Sequence, residues 1–155
     1  MWRRIRRRTV EEVAMRRYLV VANQTLASEV LLAELRSRVR AEPSRFYVVV
    51  PATRPADGMV WTEGQVRRMT GDRMQEALAR LRGEGFEVEG EVGDASPVRA
   101  IGDVLLARPD DFDEIILSTL PPGPSRWLRQ DVPHRVQRTY RLPMTHVVAA
   151  PQPVS

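Results

Sequence analysis

Four largely apolar runs of strand length alternate with segments of helical periodicity, and this alternation most constrains what the chain can fold into. The runs are Tyr18–Ala22, Phe46–Val50, Ile115–Leu117 with its flanks, and His146–Ala149. Continuous apolar runs are typical of parallel strands that are buried on both faces. Residues 86–92 instead alternate apolar and acidic side chains, which indicates a strand with one solvated face.

Helical segments are expected in each interval between these strands. Thr62 is a plausible N-cap for a long helix that ends at Gly83 and Gly85, and Asp94 or Ser96 could cap a third helix. A short fourth helix is expected over residues 131–139. Alternating strands and helices predict one α/β domain, a doubly wound, Rossmann-like, five-stranded parallel sheet with helices on both faces.

The charge of the chain is unevenly distributed. All 24 basic residues are arginines, and with 20 acidic residues they give a net charge of +4. Residues 1–17 hold seven arginines and two glutamates, so the remainder is close to neutral. We therefore divide the chain into a basic arm (residues 1–15), the α/β domain (16–150) and a C-terminal tail (151–155). Nucleic acid is not an expected partner, except weakly through the arm.

Two interpretations of the arm stay open. A basic amphipathic segment can bind an anionic membrane or nucleic-acid phosphates. Alternatively, residues 1–14 are a solvated extension or the product of an early start assignment, since such domains normally begin near Met15.

Several functional classes lack their sequence signatures. The chain has no cysteine, which excludes disulfides, thiol catalysis and cysteine zinc sites. No apolar run approaches the roughly 18 residues of a membrane span. There is no Walker A motif, dinucleotide fingerprint, metal-ligand spacing or glycine-flanked serine. We therefore expect a cytoplasmic protein without a membrane span, without a metal site and without catalytic residues.

Open parallel sheets bind ligands outside the carboxyl ends of their strands, at the topological switch point. This rule selects polar residues that follow the first, second and fourth strands. The candidate ligand-binding residues are Asn23, Thr25, Thr53, Ser118, Thr119, Gly123, Ser125 and Arg126. Prolines stiffen the loop after the fourth strand, and Arg126 offers a fork for phosphate or carboxylate. The alternative is a rigid structural loop closed by Trp127.

Other titratable groups favour structural roles. Carboxylates cluster at residues 110–114 and indicate a solvated turn at the opposite end of the sheet, although calcium stays an alternative. His146 falls in the last strand, and His134 with Asp131 suggests a helix cap rather than an acid–base dyad. Residues 84–114 carry a net charge of −8 and residues 126–141 one of +4, which could aid self-association or simply form two solvated surfaces.

The chain resembles the universal stress proteins over roughly residues 16–150. The resemblance rests on the βα order, on Gly93-Asp94 before the third helix, on residues 113–116 and on residues 142–148. It implies a sheet order of 3-2-1-4-5, a homodimer formed through the last strand and, in some members, bound ATP or AMP.

The ATP-binding members carry a stretch of the form G-x2-G-x9-G-(S/T), and this chain departs from it. Its three glycines would fall at Leu117, Leu120 and Gln130, and its hydroxyl at Asp131. Side chains at these points hinder the backbone's approach to phosphates, and Asp131 would repel a triphosphate. The family's first-strand aspartate is also absent, with Asn23 nearby. ATP or AMP would therefore have to bind without the family motif.

These observations favour a non-catalytic domain of the universal-stress-protein type that binds a small anionic or nucleotide-like ligand in a regulatory or stress role. One alternative is a homodimeric or partner-docking module without ligand. Another is a weak metal-dependent nucleotide or phosphate-ester hydrolase in which Asp131 holds the metal.

Overall fold

The computed structural model describes residues 15–55 and 58–149. Its strands are β1 (Arg16–Val21), β2 (Ser44–Pro51), β3 (Val88–Gly93), β4 (Glu114–Thr119) and β5 (Met144–Val148). Its helices are α1 (Glu29–Ala41), α2 (Glu63–Gly83), α3 (Pro97–Ala107), α4 (Arg126–Arg129) and α5 (Val132–Thr139). The predicted arm, apart from Met15, and the predicted tail lie outside the described residues.

The five strands form one parallel sheet of order β3-β2-β1-β4-β5, which confirms the α/β doubly wound fold. Val21 pairs with Val49 of β2 on one side and with Leu117 of β4 on the other. The carboxyl ends of β1, β2 and β4 therefore lie side by side at one edge. β1 and β4 are neighbours, but the chain continues from β1 to β2 on one side of the pair and from β4 to β5 on the other. The carboxyl ends of β1 and β4 therefore form the switch point.

The apolar side chains of the central strands alternate between two buried layers. Tyr18 and Val20 belong to a cluster that includes α1 and α2, whereas Leu19 and Val21 belong to one that includes α3, α4 and α5. All four residues are at most 2 % exposed. Burial on both faces explains why the sequence of these strands is continuously apolar rather than alternating.

The helix starts follow their capping residues as predicted. Thr62 and Gln65 form a reciprocal capping box at α2, and Ser96 caps α3 by accepting a hydrogen bond from the Arg99 amide. Asp94, the other candidate cap, accepts instead from the Ser96 amide at 2.8 Å. Such side-chain caps satisfy amides that have no partner within the helix.

The helix predicted over residues 131–139 is present as α5, but a further short helix precedes it. The segment after β4 thus holds two short helices, α4 and α5, which are separated by Asp131 in the left-handed conformation with φ 57°. Asp131 makes no side-chain capping bond and lies 3.4 Å from Nδ1 of His134. Asp131 therefore occupies the N-cap position of α5, as predicted, but its carboxylate lies beside His134 and makes no capping bond.

The carboxylates at residues 110–114 are paired with arginines. Asp111 lies 3.4 to 3.5 Å from guanidinium nitrogens of Arg17, Arg45 and Arg108. Glu114 is buried and accepts from Arg38 at 2.7 Å. In the described part of the chain, no group of three or more acidic or histidine residues is arranged to hold a metal ion. No helix there has the length and apolarity needed to cross a membrane.

Candidate functional site

A cavity of about 240 Å³ lies at the carboxyl ends of β1, β2 and β4, and we call it the first cavity. Seven of the eight candidate residues line it. They are Asn23, Thr25, Thr53, Ser118, Thr119, Ser125 and Arg126. Gly123 does not line it but forms an exposed turn with φ 96°. The fold thus brings together, at the switch point, residues that are about 100 positions apart in the chain.

The hydroxyl groups of this cavity already bond to the protein. The Thr25 and Ser118 hydroxyl oxygens lie 2.6 Å apart, and both residues are buried. The Ser125 hydroxyl accepts from the Leu128 amide and so caps α4. Because each hydroxyl offers one donor and two acceptor positions, these bonds fix the hydroxyls in place without using their full capacity.

A second bond ties the end of β4 to β5. The Thr119 hydroxyl oxygen lies 2.8 Å from Nε2 of His146. Burial lowers the pKa of His146 below its ordinary value, because desolvation penalises the imidazolium form. The neutral imidazole therefore predominates at neutral pH, and the proton on its ring sets whether Thr119 donates or accepts.

The side chains of Asn23 and Thr53 complete the wall of the first cavity near the end of β2. The Asn23 side-chain amide donates to the Pro51 carbonyl at 2.7 Å, which holds the loop after β1 against β2. The Thr53 hydroxyl oxygen is buried and has no hydrogen-bond partner within the described structure. An unpaired buried hydroxyl costs free energy, so Thr53 is a locally unfavourable element of this wall.

Four exposed arginines surround the first cavity, namely Arg54, Arg73, Arg126 and Arg129. Within the described ranges 15–55 and 58–149, no aspartate or glutamate lines it. None of the four is ion-paired to a carboxylate in the described residues, and the Arg73 guanidinium hydrogen-bonds to the Met69 sulfur at 3.8 Å. Other surface arginines are also unpaired, but these four converge on one cavity. Such a cleft focuses positive potential.

Sequence reasoning selected Arg126 and missed the other three arginines. A signal existed for two of them, since Arg54 directly follows Thr53 and Arg129 is three positions after Arg126 in α4. Arg73 carries no such signal. It lies mid-way along α2, and only the packing of that helix against the sheet places it near the cavity.

A second cavity, of about 430 Å³, adjoins the first beyond the ends of β2 and β3. The two cavities share Thr53, Arg54, Arg126 and Trp127 as lining residues. The second cavity is further lined by charged and polar side chains and by small or apolar ones. These are Ala52, Glu63, Val66, Arg67, Asp94, Ala95 and Gln130.

Asp131 lines neither cavity, although the hydrolase alternative needs it to hold a metal there. Leu117, at the first glycine position of the nucleotide-binding stretch, is fully buried in the core. Leu120 lines the first cavity and Gln130 the second, so side chains occupy the space that glycines would leave open. The geometry offers guanidinium and hydroxyl groups to a ligand, which suits the binding of an anion.

Neither a scan against protein-family models nor a search of curated proteins finds a match for this chain. The fold and the two cavities therefore carry the functional argument.

Proposed function

We propose that this domain binds a small phosphate-bearing anion, such as a nucleotide or another phosphorylated metabolite, in the first cavity, and that binding serves a regulatory role without catalysis. The observation that carries this proposal is the convergence of Arg54, Arg73, Arg126 and Arg129 on a cavity that no described acidic residue lines. Guanidinium groups carry the charge opposite to that of phosphate, and their N–H donors fit the geometry of phosphate oxygens.

The size of the first cavity supports a small ligand. Its 240 Å³ lies just below the roughly 300–1,000 Å³ of typical ligand pockets. The buried Thr25, Ser118 and Thr119 form a rigid polar floor, because their hydroxyls bond to one another or to His146. A floor fixed in this way loses little entropy when a ligand binds.

We further propose that the chain is a divergent relative of the universal stress proteins. The sheet order β3-β2-β1-β4-β5 is the order that the resemblance implies. Gly93 supports this proposal locally. A Cβ at this position would lie 2.8 Å from a Val49 methyl carbon and 2.9 Å from the Ala100 Cβ, so glycine is required where β3 packs on α3. A fold is shared by many functions, so the function rests on the cavity.

Isothermal titration calorimetry with AMP, ATP, cyclic AMP and inorganic phosphate tests the binding proposal. We expect at least one phosphate compound to bind, more weakly at high salt because charged contacts are screened. The variants Arg126→Gln and Arg129→Gln should each weaken binding about tenfold, since each removes a charge-assisted hydrogen bond.

The matched control is Arg99→Gln, because Arg99 is exposed on α3 and lines neither cavity. This control removes the same charge and should leave the affinity within about twofold. Absence of binding by all four compounds, or equal losses in Arg99→Gln and Arg126→Gln, would contradict the proposal.

A self-association module is the second candidate, and one observation favours it. β5 pairs only with β4 in the described sheet, and its last residue, Val148, is 44 % exposed. An unpaired strand edge with an apolar side chain can add a second copy of the chain. Light scattering after gel filtration should show a dimer that Val148→Lys disrupts. A monomer at micromolar concentration would remove this candidate.

A further inference from the structure

The second cavity differs from the first in the sign of its lining charges. Glu63 and Asp94 lie on it together with Arg54, Arg67 and Arg126. A phosphate placed here would meet two carboxylates, and an ammonium group would meet three guanidinium groups. Either full charge would be repelled by part of the lining, so the mixture favours a neutral, hydrogen-bonding occupant.

The hydrogen-bonding capacities of the lining point to hydroxyl groups. Carboxylates only accept and guanidinium groups only donate, whereas the Thr53 hydroxyl and the Gln130 amide do both. A hydroxyl is both donor and acceptor, so a polyhydroxylated group can satisfy all of these partners at once. An apolar chain would leave them desolvated and unpaired, which costs free energy.

Two groups in this region have unused capacity. Asp94 accepts from the Ser96 amide through Oδ1 alone, which leaves Oδ2 for another donor. The Thr53 hydroxyl, on the wall shared by both cavities, is buried without a partner.

We infer that the ligand is a sugar phosphate, an inference that rests on the proposed function of the first cavity. The phosphate binds the arginines of the first cavity, and the sugar hydroxyls occupy the second. There they donate to Glu63 and Asp94 and accept from Arg67. The volume of 430 Å³ is ample for one sugar ring, since it falls within the usual range of ligand pockets.

Calorimetry with three probes tests this inference on the full chain. The probes are ribose 5-phosphate, n-pentyl phosphate and inorganic phosphate, which share the anion and differ in what is attached. Wild-type protein should bind ribose 5-phosphate about tenfold more tightly than n-pentyl phosphate, because only the sugar pairs the polar lining. Equal affinity for these two esters, or tighter binding of the alkyl ester, would overturn the inference.

Variants then locate the discrimination. Glu63→Gln combined with Asp94→Asn should reduce the tenfold preference to less than about threefold, because neutral amides are weaker acceptors for hydroxyls than carboxylates are. Asparagine retains an acceptor for the Ser96 amide, so the turn before α3 is preserved. The matched control is Glu29→Gln, since Glu29 is also an exposed first-turn glutamate but lines neither cavity.

The outcomes separate this inference from the proposed function. If all three probes bind equally and Arg126→Gln weakens them equally, the anion site stands and the sugar inference fails. If the preference persists unchanged in the Glu63→Gln, Asp94→Asn variant, the second cavity is not its source and the inference also fails. If no probe binds, both fail.

Discussion

The hydrogen bond between Thr25 and Ser118 joins two segments that are 93 residues apart, and its removal offers a quantitative test of the site's architecture. Thr25 is 2 % exposed and Ser118 is 1 % exposed, so the two hydroxyls are largely desolvated. We consider Thr25→Val, Ser118→Ala and the double variant. Valine has nearly the shape of threonine, and alanine is smaller than serine by a single oxygen.

Each single substitution leaves the other hydroxyl buried and unpaired. This costs about 1–3 kcal/mol, made up of the lost hydrogen bond and the uncompensated desolvation. The double variant removes both hydroxyls and leaves none unpaired, so its loss should be close to that of one hydrogen bond, about 1 kcal/mol. The loss in the double variant should therefore fall short of the sum of the single losses by at least about 1 kcal/mol.

Urea denaturation followed by circular dichroism measures these free energies of unfolding. The control is Thr139→Val, because Thr139 also hydrogen-bonds through its hydroxyl, to the Arg135 carbonyl, but is exposed on α5. Its free energy of unfolding should change by less than about 0.5 kcal/mol. Additive losses in the double variant, or a Thr25→Val variant as stable as the control, would refute the inference that these hydroxyls depend on each other.

Three further predictions concern substitutions of individual residues. Because burial lowers the pKa of His146, its contribution to the free energy of unfolding is present above about pH 6.5 and is lost as the pH falls through the lower pKa of the folded state. In urea unfolding, His146→Gln should therefore flatten the decline of the free energy of unfolding between about pH 7 and 5. Gly93→Ala should destabilise by about 1–3 kcal/mol through overpacking, whereas Gly71→Ala, mid-way along α2 with its nearest neighbour at 3.7 Å, should stabilise by about 0.5–1 kcal/mol; equal effects would contradict the packing argument. Arg126→Gln should leave the melting temperature of the free protein unchanged or slightly higher while it weakens phosphate binding, and a lower melting temperature would show that Arg126 is structural.

The strands could be predicted because burial on both faces requires a pattern of apolar residues that is visible in the local sequence. Each central strand is a continuous apolar run, and the structure buries it almost completely. The cap of α2 is equally local, since the Thr62 amide donates to the Gln65 side chain and the Gln65 amide donates to the Thr62 hydroxyl. Gly71 lowers the intrinsic helix propensity at the middle of α2, but the helix runs through it because Met74 and Leu78 pack in the core against the sheet.

The turn at Asp131 could not be predicted, because a non-glycine residue in the left-handed conformation leaves little record in the sequence. Propensity favours a plain N-cap at an aspartate before a proline-containing first turn. The structure instead places α4 immediately before it and buries Trp127 and Val132 on either side of the turn. Tertiary packing of these two side chains therefore offsets the local cost of the backbone conformation.

The two ends of the sheet differ in how their arginines are paired, and this difference depends on tertiary structure rather than on the local sequence. At the amino end, Arg17 and Arg38 form ion pairs with Asp111 and Glu114. At the carboxyl end, the arginines of the first cavity converge where no described acidic residue lines the cavity. Like charges that lie close together repel, and such an arrangement does not help a domain to fold. Under the proposed function, an anion bound in the first cavity would reduce this repulsion, so we expect phosphate binding to raise the stability of the folded protein.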